Sequence, residues 1–262
     1  MFPTVQGAQN TTSLAATTHA INYPASLAAG ELLFCIFATD GDPTITFPAG
    51  WTVGINESTG SSAARLAIAY IRATGSESGT FNVTTSDTQG ITARVLRIAN
   101  LQGVEFSAVT VGASTGPNSA SLTTSWSGDT LFMSIFGADG GSITVNSYPA
   151  NMPDNRAASA PFSTDAAAFW GIATDEVAGN TRDPDAYKLS GSEQWVAVTV
   201  GVEGPHEIEP AIIPTAEGVY SPTIVPDQSI EPAIIASAEM FFATCEVFFY
   251  PPAFAPEELC SR

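Results

Sequence analysis

The amino-acid sequence predicts an all-β protein: a jelly-roll-like antiparallel β-sandwich with internal duplication, followed by an extended, proline-rich C-terminal arm or stalk. Three observations carry this prediction. They are a composition that suits strands, a series of short apolar runs up to about residue 204, and a tandem repeat beyond it.

The composition favours strands over helices and a packed core over disorder. Hydrophobic residues make up 44% of the chain and charged residues only 13%, so Thr, Ser, Asn and Gly supply most of the polar surface. Residues of this kind suit a pleated sheet. The 26 Asp and Glu residues outnumber the 8 Lys and Arg residues. A surface with this excess of negative charge repels nucleic acid and anionic membranes, and we expect neither as a partner.

Short apolar runs alternate with turn signals through the first part of the chain. Asp40-Gly41-Asp42-Pro43 and Pro48-Ala49-Gly50 are examples of such turns. Many strands at this spacing, without helical patterns between them, indicate a sandwich or a barrel. The predicted strands cover residues 32–37, 44–47, 66–71, 81–85, 91–98, 131–136, 143–145, 167–172 and 195–202.

The predicted sandwich, residues 1–204, repeats itself. The segment 33–41 is similar to 132–140, and each is followed by a short strand and then by Pro-Ala. We interpret this as two related halves, about 1–104 and 105–204, packed into one sandwich, because neither half alone would bury both faces of its sheet. Two tandem sandwiches of roughly 100 residues are the alternative.

Residues 205–262 form the predicted arm, which contains two repeats, 208–229 and 230–251. Both include Ile-Glu-Pro-Ala-Ile-Ile-x-x-Ala-Glu, with the Glu at 209 and at 231, 22 residues apart. The prolines exclude helix interiors and central strands. One extended strand cannot bury the apolar side chains between the prolines, so neighbouring chains must do so. The predicted oligomerisation or attachment residues are Ile212, Ile213, Val219, Tyr220, Ile234, Ile235, Phe241, Phe242, Phe248, Phe249 and Tyr250.

Residue types that carry enzyme chemistry are scarce. The two histidines are His19, in a strand-like polar context that indicates a structural role, and His206, in the linker before the arm. No phosphate-binding loop or His-Glu-x-x-His motif occurs. We therefore predict that the protein is not an enzyme and has no catalytic residues, cofactor or metal.

Carboxylates are the one abundant reactive group. Asp40 with Asp42, or Asp175 with Glu176, could supply the acid and base of glycoside hydrolysis. Most of the carboxylates lie beside Gly or Pro in turns, however, where Asp is favoured because it caps the backbone. Asp183-Pro184-Asp185 offers oxygen ligands for calcium but lacks the spacing of an EF-hand.

Aromatic side chains offer one candidate contact with a ligand. Trp51 could stack on a glycan, whereas Trp170 and Trp195 lie on predicted strands and are assigned to the core.

The remaining sequence signals concern the cysteines and the location of the chain. Cys35 lies in an apolar run, which predicts a buried thiol, whereas Cys245 and Cys260 are compatible with either a disulfide or reduced thiols. The N-terminal Met1-Phe2-Pro3-Thr4 predicts no signal peptide, and no apolar stretch approaches the ~20 residues of a membrane span.

Two parts of the chain resemble structural proteins of tailed bacteriophages. Gly30-Glu31-Leu32-Leu33, Phe47-Pro48-Ala49-Gly50-Trp51-Thr52 and Tyr70-Ile71-Arg72-Ala73-Thr74-Gly75 are similar to the jelly-roll-like domains of phage decoration and fibre proteins. The tandem Ile-x-Pro-Ala-Ile-Ile-Ala-Ser-Ala-Glu arm is similar to repeats in the shafts and tails of such proteins.

The resemblance implies a virion structural protein, a trimeric capsid decoration or cement protein whose arm mediates oligomerisation or attachment to the shell. Its partners would be its own copies, as a homotrimer, and the major capsid protein or another virion protein. The capsid surface would be its location, with the tail as the alternative. A head or tail fibre that binds host surface glycans is the nearest alternative function. A carbohydrate-active enzyme or a secreted lectin is the alternative of another class.

Overall fold

A computed structural model describes residues 1–60, 64–140, 143–159 and 168–205. Across these ranges the chain is all-β, without a helix, which confirms the predicted fold class. The described strands are β1 (Thr4–Asn22), β2 (Leu32–Asp40), β3 (Ile45–Thr46), β4 (Thr52–Ser58), β5 (Ala64–Arg72), β6 (Thr80–Ala99), β7 (Val104–Phe106), β8 (Thr110–Ser114), β9 (Leu122–Thr123), β10 (Asp129–Asp139), β11 (Val145–Ser147), β12 (Asp154–Ala158), β13 (Ala168–Ala178), β14 (Thr181–Arg182), β15 (Lys188–Leu189) and β16 (Glu193–Glu203).

Two large antiparallel sheets form the sandwich. The first sheet has the order β1-β6-β2-β5-β4, with β3 also paired to β6. The second has the order β12-β13-β10-β16-β7, with β8 also paired to β16. The first sheet therefore comes from residues 4–99 and the second from residues 104–203, so each half of the chain builds one sheet.

The two sheets have equivalent strand orders. β2 corresponds to β10, β5 to β13, β6 to β16 and β4 to β12, while β7 and β8 take the place of β1. The contacts between the two sheets follow the same correspondence. β5 contacts β10 just as its equivalent, β13, contacts β2. In the same way, β6 contacts β13 just as β16 contacts β5. An approximate two-fold axis between the sheets accounts for this pattern. The strands of the first half thus stay in the first sheet, whereas β9, β11, β14 and β15 of the second half form short pairs outside the second sheet.

Both faces of the central strands are buried, and this explains why the sequences of these strands are continuous apolar runs. In β2, Phe34 and Ile36 face the core between the sheets. Leu33 and Phe37, on the opposite side, pack in a second apolar layer over the outer face of the first sheet. A strand covered on both sides has no polar face, so its sequence loses the alternation of a half-exposed strand.

The outer face of the first sheet is covered by the folded-back ends of its two longest strands. Thr11 Oγ1 accepts a hydrogen bond from the backbone N–H of Asn22 at 3.0 Å, although 11 residues of straight strand would span roughly 36 Å. The paired strands β1 and β6 therefore bend back at the register shifts within residues 13–18. The bend places Ile21 and Phe81 over the outer face.

The outer face of the second sheet is covered by the short pairs β9-β14 and β11-β15 and their connections. Tyr187 is buried in this cover. Its hydroxyl donates to the backbone oxygen of Ser134 at 2.6 Å, and its ring lies 4.7 Å from that of Phe136. Burial raises the pKa of Tyr187 above its ordinary value, so this hydroxyl stays protonated and acts as a donor.

Three predictions about buried side chains are confirmed. Trp170 packs in the core between the sheets. Trp195 packs in the apolar layer between the second sheet and its cover. Cys35 is buried as a free thiol in the cover of the first sheet, and burial raises its pKa, which keeps the sulfur unreactive.

Candidate functional site

The side chains predicted to mediate oligomerisation or attachment, all within residues 212–250, lie outside the described residues, as do His206, Cys245 and Cys260. The described sandwich supplies the other candidates.

Trp51 is half-buried in the cover of the first sheet. Its ring stacks on Phe81 with centroids 4.5 Å apart and lies 6.0 Å from Phe47. Packing therefore occupies part of the indole surface. The contact with a glycan stays a prediction.

His19 is fully buried at the bend of the β1–β6 ribbon. Its Nδ1 lies 3.1 Å from Ser13 Oγ and its Nε2 lies 3.2 Å from Thr85 Oγ1. The Thr85 hydroxyl donates to the backbone oxygen of Asp87 at 2.8 Å, so it accepts from His19 Nε2–H, and the Ser13 hydroxyl donates to Nδ1 of the neutral ring. Burial lowers the pKa of His19, which keeps the ring neutral. The predicted structural role is confirmed: the histidine ties the two strands together where they bend.

Asp175 and Glu176, one of the predicted acid and base pairs, follow one another on β13. Successive side chains of a strand point to opposite faces, so the two carboxyls do not converge on one reacting atom. Asp175 forms an ion pair with Arg182. Its pKa is raised, chiefly by burial and also by the charge of Asp154, while Arg182 opposes the rise. Burial, followed by the charges of Asp154 and Asp175, also raises the pKa of Glu176.

The Asp183-Pro184-Asp185 loop is held by Asn151, a contact that the sequence did not predict. The Asn151 side chain donates to the backbone oxygen of Asp183 at 2.8 Å and accepts from the backbone N–H of Asp185 at 2.9 Å. The Asp185 carboxylate accepts from the backbone N–H of Asn151 at 3.3 Å. Within the described ranges, no group of three or more His, Cys, Asp and Glu residues is placed to hold a metal ion.

The structure brings together two carboxyls that sequence reasoning does not pair. Asp40 ends β2 and Asp139 ends β10, at equivalent positions of the two halves, and their side chains are hydrogen-bonded to each other. Two residues earlier, a Cβ built on Gly137 would lie 3.3 Å from the Cβ of Ala38, so the strands approach closely here. The sequence signal that could have indicated this pair is the Asp-Gly dipeptide, which ends the duplicated segment in each half.

This pair is proton-dependent. A hydrogen bond between two carboxyls requires a proton on one of them, because an ionised carboxylate only accepts. Burial raises the pKa of Asp40, opposed by hydrogen bonds from Asp139 and the Gly41 backbone. Asp42, by contrast, forms an ion pair with Arg65 at 2.6 Å, and that contact lowers its pKa. Neighbouring carboxyls on one turn thus have opposite tendencies: burial raises the pKa of Asp40, and the contact with Arg65 lowers the pKa of Asp42.

A shallow groove of about 470 Å³ lies at the end of β5, between Tyr70, Arg72 and Gln102. The Arg72 guanidinium donates to the backbone oxygens of Gly30, Leu101 and Gln102 at 3.0–3.1 Å. This cation therefore holds three loop carbonyls in place beside the groove.

The geometry defines the class of the protein at the level of its fold, a duplicated antiparallel β-sandwich. No family model matches the chain, and comparisons with curated proteins and with solved structures find no match either. Within the described residues there is no helix of the length and apolar character that a membrane span requires.

Proposed function

We propose that the protein is a non-enzymatic virion structural protein, a trimeric capsid decoration or cement protein whose C-terminal arm mediates oligomerisation or attachment to the shell. The observation that carries the proposal is the tandem repeat of the arm. Its two units share Ile-Glu-Pro-Ala-Ile-Ile-x-x-Ala-Glu and continue into Phe248-Phe249-Tyr250, a segment that would promote aggregation if it were left in water.

The sandwich supports the proposal because it is complete by itself. Side chains from both sheets fill the core between them, and each outer face has its own apolar cover. A closed unit of this kind can project from a surface in many copies. Its negative charge, formally −18 for the chain, keeps such copies soluble.

The arm must bury its apolar side chains, and we therefore assign it a role in assembly. The prolines of each unit are incompatible with helix interiors and central strands, and they lack backbone donors. The isoleucine pairs and aromatic residues must be buried against other chains, either three arms wound together or a shell protein. A trimer satisfies this with identical contacts, since closed symmetry buries the same surface on every copy.

The mass of the full chain in solution tests the assembly role. We expect three times the mass of one chain, and a monomer when residues 206–262 are deleted. Ile212→Asp with Ile213→Asp should also give a monomer because the carboxylates cannot be buried unpaired. The matched control is Thr215→Asp with Ser229→Asp, which adds the same charge at polar positions of the arm and should leave the trimer intact. A full chain that is already monomeric would contradict the trimer.

Cryo-electron microscopy of purified particles tests the location. Density for the sandwich on the capsid surface is the expected result. Density on the tail would favour a fibre, and particles without the protein would overturn the virion assignment. Cleavage of a glycan by the purified chain would refute the non-enzymatic part of the proposal.

A further inference from the structure

The first sheet ends on one side in a long strand that has neither charged residues nor proline. β1 spans Thr4–Asn22 and contains no Asp, Glu, Lys, Arg or Pro. Among the described strands β6 is its only partner, so no described strand pairs with the outer edge of β1. Natural sheets usually protect such an edge with charges, prolines, bulges or short strands.

The other edges of the sandwich carry this protection. β4, at the opposite edge of the first sheet, contains Glu57 and a register shift. β12 contains Asp154 and Arg156 and is likewise interrupted by a shift. β7 is three residues long and contains Glu105, and β8 has five residues. The long uncharged edge is therefore specific to β1.

Register shifts limit the part of this edge that can pair regularly. Between them, residues 7–13 pair one to one with residues 97–91 of β6. Seven residues of strand extend over roughly 23 Å, the length of an ordinary strand. Gln9, Asn10 and Thr12 are exposed along this segment.

We propose that residues 7–13 pair edge to edge, antiparallel, with the same segment of a second copy of the chain, so that two first sheets become one continuous sheet. Each chain has a formal charge of −18, so two copies repel one another except where they meet through an uncharged surface. The segment is also complementary to itself. Hydroxyl and amide side chains both donate and accept, and identical strands related by a two-fold axis place such groups opposite each other.

This contact is independent of the arm and goes beyond the proposed function. A two-fold contact between sandwiches cannot close within a trimer, so it would join one trimer to a second trimer in a closed assembly of six chains. Loss of the edge contact halves the mass of the assembly, whereas loss of the arm removes the trimer, and the two failures are therefore distinguishable.

Thr12→Lys in the full chain tests the proposal, because lysine on an edge is the device by which natural sheets prevent pairing. Sedimentation velocity over a wide range of concentrations should show a wild-type mass that doubles. The dissociation constant of this doubling should rise at least about tenfold in the variant. The matched control is Thr52→Lys, the same change at an exposed position of the protected strand β4, which should behave as wild type.

Hydrogen exchange of the wild-type chain gives a second measurement that does not depend on a variant. Amides within residues 7–13 should exchange more slowly as the protein concentration rises, whereas those of β4 should not change. Circular dichroism shows whether the Thr12→Lys variant is folded, and if it is not, the exchange measurement decides. The proposal is overturned if exchange in this segment is independent of concentration, or if folded Thr12→Lys and wild type have equal masses throughout.

Discussion

At the scale of single residues, His19 shows how one side chain fixes a bend. It binds Ser13 on its own strand and Thr85 on β6, and these are the strands that reverse direction there. Burial accounts for the lowered pKa of the ring. Burial therefore favours the neutral form of the ring at the bend.

The free energy of unfolding should consequently decrease at acidic pH, and His19 should account for part of this decrease. In the unfolded chain the imidazole takes up a proton near its ordinary pKa of 6.5, and in the folded chain only at lower pH. The stabilising contribution is thus complete above pH 6.5 and is lost as the pH falls toward the lowered value. His19→Gln keeps polar contacts without titrating and should flatten this dependence. Urea unfolding of both proteins at neutral and at acidic pH measures it, and equal slopes would contradict the assignment.

The contribution of Asp40 to stability should depend on pH in the opposite direction. Its pKa is raised in the folded chain, so its contribution is complete below the ordinary value of 3.8 and is lost as the pH rises through the raised value. Asp40→Asn supplies a permanent donor to Asp139 and should stabilise the protein at neutral pH by about 1 kcal/mol.

The matched control for this change is Asp42→Asn, two residues away on the same turn. It removes the carboxylate that pairs with Arg65 and should lower stability at neutral pH, because the pKa of Asp42 is lowered by that contact. Denaturant unfolding of the two variants should give changes of opposite sign. A loss of stability in both would show that the Asp40–Asp139 pair is not a proton-dependent link.

The sequence predicts the burial of individual residues better than their partners. Cys35 and Trp170 lie in apolar strand patterns, and their burial follows from the pattern alone. The pairing of Asp40 with Asp139 depends on how two halves face each other across an approximate two-fold axis. A local turn motif carries no information about that arrangement, so each aspartate reads only as a turn residue.

At the scale of strands, the second sheet pairs glycines with aromatic residues across neighbouring strands. Gly171 lies opposite Phe136, and Gly112 lies opposite Trp195. A Cβ built on Gly171 would lie 2.3 Å from Phe136 Cε1, and one on Gly112 would lie 2.3 Å from Trp195 Cζ2. The rings thus occupy the space that a side chain on the partner strand would need.

Gly171→Ala should therefore destabilise the sandwich by about 1–3 kcal/mol, the usual cost of overpacking in a core. Thermal or denaturant unfolding measures the change. Gly128→Ala is the control, because a Cβ there meets no atom within 4 Å, and its effect should stay within about 0.5 kcal/mol. Equal effects of the two substitutions would show that the Phe136 ring moves aside without cost.

The folded-back ribbon is the element that the sequence predicts least well. The pattern predicts two strands at 81–85 and 91–98, whereas the structure has a single bent strand, β6, from Thr80 to Ala99. β1 is not among the predicted strands, because its Thr, Asn, Gln and Ala residues lack apolar alternation. Pairing with β6 determines its conformation, and a pairing between residues far apart in sequence cannot be read from a local period.

At the scale of the whole molecule, the duplication explains why the sandwich needs both halves. The core between the sheets combines side chains of both, such as Leu66 and Ile68 from the first with Ile135 and Val198 from the second. The two sheets meet much as two subunits do in a symmetric dimer, except that one chain supplies both. Neither sheet can exclude water from its inner face without the other.

Unfolding should accordingly be a single transition that involves both halves. Ile135 is fully buried between the sheets, and Ile135→Ala should cost about 2–5 kcal/mol. Hydrogen exchange should then show equal losses of protection for the slowest amides of β5 and β10, because the opening that exposes one sheet exposes the other. Val53→Ala, at a position 46% exposed, is the control and should leave both sheets unchanged. A loss confined to residues 105–204 would mean that the halves unfold separately, as two tandem sandwiches would.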